Sequence, residues 1–275
     1  MTTASQHLEG LVSSWTPPAG YFEAHRQHRT GIQASLELRC GIHRMFETGS
    51  LRQGTAIRLY ADADYFAVMK GPRLTADTVL YQVKSALHET YKHTPIEVRK
   101  PAVKCRFAGG SQTVEVVPAF ADITGGYWIP DPHGGWMKSH PSDHNAYVNE
   151  QNESPSGAAK KLARLAKLWK YRRQVPISSF YLEMRAAKYM NSQQYWVPYW
   201  DLHDFLNWLY AIELADMNDP TGLGARISAC SSDYNRSVAL SKLATAVGRA
   251  ERAMNAARAG RDAAAIEDLK LLFDM

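Results

Sequence analysis

The sequence contains only three cysteines, Cys40, Cys105 and Cys230, and they lie far apart. An odd number without a CxxC pair excludes a fully paired disulfide framework, and the Cys and His spacings fit no zinc-ligand pattern. Reduced thiols in a cytoplasmic protein are the expectation. No apolar run approaches the roughly 18 residues that a membrane helix needs, so no membrane association is expected. The opening MTTASQHLEG has no basic stretch followed by an apolar one and does not read as a signal peptide. There is no internal repeat and no low-complexity tract. An excess of one charge sign is also nearly absent: the 275 residues carry a formal net charge of only +5, a weak preference for anionic partners. Hydrophobic residues make up 45% of the chain and charged residues 21%. That balance supports a buried core and excludes wholesale disorder.

What is present divides into two halves, expected as domains 1–150 and 151–275. Residues 1–18 are polar, end in Thr16-Pro17-Pro18 and read as a loose arm. A helix is expected over about 20–39. Ile57 to Met69 (IRLYADADYFAVM) is rich in β-branched and aromatic residues and reads as a mostly buried strand. Val79, Val83, Leu87 and Tyr91 stand at helical spacing within Thr75 to Tyr91. Ala102 to Phe107 and Thr113 to Ala119 read as strands joined by Gly109-Gly110, a hairpin signal. The Gly-, Pro-, His- and Asn-rich stretch of about 124–156 reads as a long ordered loop or a domain junction. Ser154-Pro155-Ser156 then opens a largely helical half, with helices expected at about 157–173, 177–190 and 200–216 and more to the end.

Asp62 and Asp64 are two residues apart in an expected strand, so both side chains face one way. Two carboxylates on one face raise each other's pKa unless a cation neutralises them. Oxygen-only ligands suit Mg²⁺, which binds through a few carboxylates plus substrate phosphates. Glu115 lies among valines in the later strand QTVEVV; paired beside the first strand, it would complete a three-carboxylate cluster. A bare DxD is more often the solvent face of an edge strand, because such short patterns are common. Gly49-Ser50, twelve residues before Asp62, shifts that balance. Glycine permits close approach of backbone to phosphate, and serine adds a hydroxyl donor.

GSLRQGTAIRLYADADYF followed by VEVVPAF resembles the polymerase-β-like nucleotidyltransferases. More narrowly it resembles the bacterial CD-NTases, relatives of cyclic GMP–AMP synthase and oligoadenylate synthetase. The segment GYWIPDPHGGWMKSHPSDHNAYV is similar to the loop those enzymes carry after the third acid strand. KLARLAKLWK and PISSFYLEM are similar to their first two C-terminal-lobe helices. The resemblance runs from about residue 45 to 190. It implies an α+β fold of two lobes, a mixed-sheet palm and a helical C-terminal lobe, with a nucleotide cleft between them. It implies metal ligation by Asp62, Asp64 and Glu115, two Mg²⁺ or Mn²⁺ ions per active site, and activation of the attacking hydroxyl by Glu115. Gly49 and Ser50 would hold the donor triphosphate, Lys167 and Ser179 would contact phosphate, and Phe180 would stack on a base. The implied activity is synthesis of a cyclic or short linear oligonucleotide from nucleoside triphosphates. The implied setting is antiphage signalling through a product-sensing effector protein encoded elsewhere. A monomer that requires no nucleic-acid partner is expected.

The residues around those positions leave plainer readings open. Lys160, Arg164, Lys167 and Tyr171 share one helix face beside the apolar Leu162, Leu165, Ala166 and Trp169. That stripe suits either a phosphate-cleft wall or a solvated basic face. Ser178 and Ser179 follow Pro176 and could simply cap a helix, and Phe180 could be core. Two rival functions also remain: nucleotidyl transfer to a tRNA end, a protein or a small molecule, and a non-catalytic nucleotide- or RNA-binding module.

Overall fold

The computed structural model describes residues 2–154 and 156–275. In chain order the elements are α1 (Ala4–Trp15), α2 (Tyr21–Arg39), β1 (Ile42–Thr48), α3 (Gly49–Gln53), β2 (Ala63–Met69), α4 (Ala76–Thr90), β3 (Ile96–Arg99), β4 (Ala102–Phe107), β5 (Gln112–Ala121), β6 (Tyr127–Pro130) and β7 (Trp136–Ser139). They continue as α5 (Pro141–Asn152), α6 (Ala159–Arg172), α7 (Ser179–Asn191), α8 (Pro198–Ala211), α9 (Asp233–Arg258) and α10 (Asp262–Phe273). The fold is α+β and divides into two compact units. One comprises Pro17–Asn145 with Leu223–Ala225. The other comprises the chain up to Thr16, Ala146–Gly222 and Arg226–Met275. Among the described residues no helix is long and apolar enough to cross a membrane.

The first unit is built on a mixed sheet of strand order β1-β2-β5-β4-β3, in which β2 and β5 run parallel and the other pairs antiparallel. Side chains alternate along each strand, so β5 sends Val114 and Val116 to one face. There they join Ala63, Tyr65, Val103 and Cys105 in a core closed by Ile32 and Leu36 of α2 and by Val79, Leu80, Val83 and Leu87 of α4. The other face carries Thr113, Glu115, Val117 and Ala119, of which Val117 and Ala119 pack with Phe66 and Ile129. The strand expected from Ile57 starts only at Ala63. Ile57 to Tyr60 instead forms a turn, closed by the Tyr60 amide donating to the Ile57 carbonyl at 3.0 Å. Thr55, Ala56 and Ile57 are buried nonetheless, so the apolar run there reports burial and not strand.

Residues 124–152 are not a loop but the β6–β7 hairpin, which extends the sheet from β5, followed by α5. The other expectation, a domain junction, agrees with the boundary between the two units at Asn145 and Ala146. Two aspartates nucleate the turns of this stretch: Asp122 accepts from the Thr124 amide and Asp131 from the His133 amide, both at 2.7 Å. Arg73 lies over the Trp128 ring, and Trp136 meets Phe120 edge to face.

In the second unit the expected loose arm is a helix. Thr3 and Gln6 form a capping box, and Ala4, Leu8 and Val12 are buried at the four-residue spacing of one helix face. Glu9 accepts from Lys161 and from the Trp196 indole. The second-half helices lie close to their expected places. Pro155 lies outside the described residues, and α6 begins at Ala159, where the Lys160 amide donates to Asn152 Oδ1.

Candidate active site

The strand register places one polar row across the sheet. Thr48 of β1 lies opposite Asp64 of β2, Asp64 opposite Glu115 of β5, Glu115 opposite Lys104 of β4, and Lys104 opposite Glu97 of β3. Residues directly opposite share a face, and this is the face away from α2 and α4. The cause is local: Ala63, Tyr65, Val103, Cys105, Val114 and Val116 claim the core, which turns their neighbours outward.

Asp62 stands one residue ahead of β2, yet its carboxylate reaches the row. Lys104 Nζ donates to Asp62 Oδ2 at 2.6 Å and to Glu115 Oε1 at 3.0 Å. Burial opposes the lysine's charge, but the hydrogen bonds to Asp62 and Glu115 hold its pKa above the ordinary value. The expected three-carboxylate metal cluster is therefore not closed: among the described residues no three His, Cys, Asp or Glu side chains gather as a metal-ligand group. Two acids converge on an ammonium instead, because like charges this close need a counter-charge and Lys104 supplies it. Even so, the donor set fits a cation. Asp62 and Glu115 already share one, Asp64 is the register neighbour of Glu115, and all donors are oxygens.

Gly49 opens α3 immediately after β1, with a left-handed φ of +66°. A Cβ built there would lie 2.0 Å from Asp64 Oδ2. The glycine is required twice, by its backbone and by the carboxylate packed against it. Gly49→Ala is expected to cost about 1–2 kcal/mol from the backbone alone and to push the Asp64 carboxylate out of the row. Thermal unfolding together with a crystal structure of the variant checks both. Ser50 follows as the second residue of α3, half-buried, with its carbonyl accepting from the Thr55 amide. A cavity of about 400 Å³ opens beside Gly49, lined in part by Arg26, Arg29, Arg52 and Tyr65. None of these arginines stood out in the sequence.

The remaining three expected residues lie in the helical unit. Lys167 of α6 is not an open cation: it is 2% exposed, and its Nζ donates to Glu183 Oε1 of α7 at 2.6 Å. Its neighbours Leu165, Ala166, Leu168 and Trp169 are all buried, which leaves an ammonium there no route to solvent and requires a buried partner. Ser178 caps α7, accepting from the Tyr181 amide at 3.2 Å. Ser179 is thereby free of the capping duty. It accepts from Lys170 Nζ at 2.5 Å and lies 3.2 Å from the Tyr171 hydroxyl. Phe180 is half-buried, unlike the fully buried Tyr181 and Leu182 that follow it.

Lys170, one helical turn beyond Lys167, was not singled out in the sequence. Burial pulls its pKa down to about 8, with a smaller push from the Lys167 charge. It should therefore lose its proton well before an ordinary lysine. Competitive acylation followed by mass spectrometry is expected to show Lys170 gaining reactivity near pH 8, with exposed lysines following about two units later. Equal midpoints would contradict the burial argument. Lys104 was also missed, although its signal was available. In AVKCRF a lysine occupies the parity opposite to the buried Val103 and Cys105, on a strand that pairs with the one carrying Glu115.

Residues 22–152 match the model of the Second Messenger Oligonucleotide or Dinucleotide Synthetase domain. The Cyclic AMP-AMP-AMP synthase of an Acinetobacter species is 27% identical over 212 residues, which cover 70% of this chain and 60% of that protein. The chain thus spans under two thirds of that relative's length. Among solved structures, Escherichia coli MS115-1 CdnC, determined with ATP, superposes with a TM-score of 0.77 at 16% identity, covering 98% of both chains. The Bradyrhizobium diazoefficiens CD-NTase CdnG, determined with GTP, gives a TM-score of 0.77 at 12% identity, covering 99% of this chain and 98% of that one. These two share the fold. The chain is thus similar over residues 22–152 to the Second Messenger Oligonucleotide or Dinucleotide Synthetase domain, and it shares its fold with these two solved structures.

Proposed function

We propose that the protein joins nucleoside triphosphates into a cyclic or short linear oligonucleotide. The observation that carries the proposal is the register pairing of Asp64 with Glu115 on adjacent parallel strands, with Asp62 and Glu115 converging on a single cationic group. Asp62, Asp64 and Glu115 would hold Mg²⁺ or Mn²⁺, two ions in all. Such ions, when bound, neutralise phosphate charge and lower the pKa of a coordinated hydroxyl. Glu115 accepts the proton of the attacking ribose hydroxyl, and pyrophosphate leaves the α-phosphorus. Gly49 lets the triphosphate approach the backbone, and Ser50 donates its hydroxyl. Most of the rate enhancement in phosphoryl transfer comes from such positioning and charge neutralisation.

In the helical unit Ser179 contacts phosphate and Phe180 stacks on a base. Lys167 would have to leave Glu183 to reach a phosphate, whereas Lys170 has only to release Ser179. We therefore assign the phosphate contact on this helix to Lys170 together with Ser179, with Lys167 as the charge that holds Glu183. The product acts on a separate effector protein in cytoplasmic antiphage signalling. The name of the Acinetobacter relative makes a cyclic adenylate the first product to seek.

The test incubates the pure protein with each labelled nucleoside triphosphate, singly and together, with Mg²⁺ or Mn²⁺, and digests the products with phosphatase. A phosphatase-resistant oligonucleotide, absent with Asp62→Asn, is the expected result. Incorporation only when a tRNA, protein or small-molecule acceptor is added would assign the chain to acceptor modification. No incorporation under any of these conditions would favour the binding module.

A further inference from the structure

We infer that Lys104 is a positioning residue that competes with divalent ions for the acid row and thereby sets how tightly they bind. The inference rests on the reading of Asp62, Asp64 and Glu115 as metal-holding residues. Lys104 sits mid-strand in β4 with its side chain only 10% exposed. Neither apolar packing nor solvation explains an ammonium there; its two carboxylate partners do. Of its neighbours across the ladder, Glu115 accepts from it, whereas Glu97 is held by Arg106 at 2.7 Å. The lysine's charge is thus directed to the acid row. Its Nζ lies within hydrogen-bond distance of Asp62 Oδ2 and Glu115 Oε1 at once, the position in which a cation would be shared by those two oxygens.

A divalent ion entering between Asp62 and Glu115 must break two charge-assisted hydrogen bonds and displace the ammonium, or else bind beside it against its charge. Either way a free ion binds weakly. An ion arriving on a nucleotide's phosphates brings negative charge that the displaced ammonium can face. Lys104 therefore favours loading of the metal–nucleotide complex over loading of the bare ion.

The experiment measures Mn²⁺ binding to the intact chain by electron paramagnetic resonance without nucleotide, alongside thermal unfolding with and without Mn²⁺. Lys104→Met removes the charge at nearly constant volume. It is expected to tighten Mn²⁺ binding about tenfold or more, since removal of a like charge at contact distance strongly favours the ion. It should also lower the unfolding temperature without Mn²⁺ and restore it with Mn²⁺. Lys104→Gln, which can still donate to Asp62, serves if the methionine variant does not fold, and carries the same expectation. Lys104→Arg keeps the charge and should stay near the wild-type affinity. Unchanged or weaker Mn²⁺ binding in Lys104→Met and Lys104→Gln, with wild-type binding abolished by Asp64→Asn, would overturn this inference while leaving the metal reading intact. Absence of Mn²⁺ binding from every variant would overturn both.

Discussion

Asp64→Asn is expected to reduce nucleotide incorporation about a thousandfold or more while leaving the fold intact. The expectation follows from where the residue lies. Asp64 is in the middle of the row, opposite Thr48 on one side and Glu115 on the other, and the Gly49 backbone is packed against its carboxylate. Asparagine has the same shape and keeps those contacts but loses the charge. A loss of several kcal/mol of charge stabilisation corresponds to at least three decades in rate. Incorporation rates on matched protein, with circular dichroism and unfolding temperature as controls, read the outcome. Full activity in a correctly folded variant would leave Asp64 without a catalytic role and overturn the reading of the acid row as the reacting site.

The second large effect lies away from the row. Lys167→Ala is expected to destabilise the helical unit by about 3–5 kcal/mol, because it removes the ammonium from a buried ion pair with Glu183. Lys167 and Glu183 have side chains 2% and 4% exposed, joined at 2.6 Å between α6 and α7. Unfolding temperature should fall by about 10 °C in a unit of this size. Replacing both residues by apolar ones of similar volume, Lys167→Met with Glu183→Leu, should recover most of the loss, since buried pairs are often near neutral against a packed apolar substitute. Thermal unfolding of the two single variants and the double variant forms the measurement. A single-variant loss below about 1 kcal/mol would show that the pair is hydrated and would return Lys167 to the list of open cations.

Much of the architecture was legible because it is written in short-range patterns. The alternation in QTVEVVPAFA and AVKCRF marks strands and states which residues turn away from the core. The Leu162, Leu165 and Trp169 spacing marks α6. The failures have equally specific causes. Ile57 is buried in a turn rather than a strand, and burial alone cannot tell the two apart. The Asx turns at Asp122 and Asp131 convert a Gly- and Pro-rich stretch into a hairpin. The capping box at Thr3 and Gln6 precedes an apolar face that the polar character of the arm concealed.

The sequence by itself determined the parity of the strands, and therefore that Asp64 and Glu115 would leave the core on the side opposite their valine, alanine and tyrosine neighbours. It determined that Gly49 would be available for a left-handed turn ahead of them. Only the tertiary structure decided which charges meet. Lys104 reaches Asp62 across 42 positions of chain and Lys167 reaches Glu183 across 16. No periodicity carries such pairings. They follow from strand order and helix packing, where an acid and a base that the chain keeps apart are brought together because neither can stay buried alone.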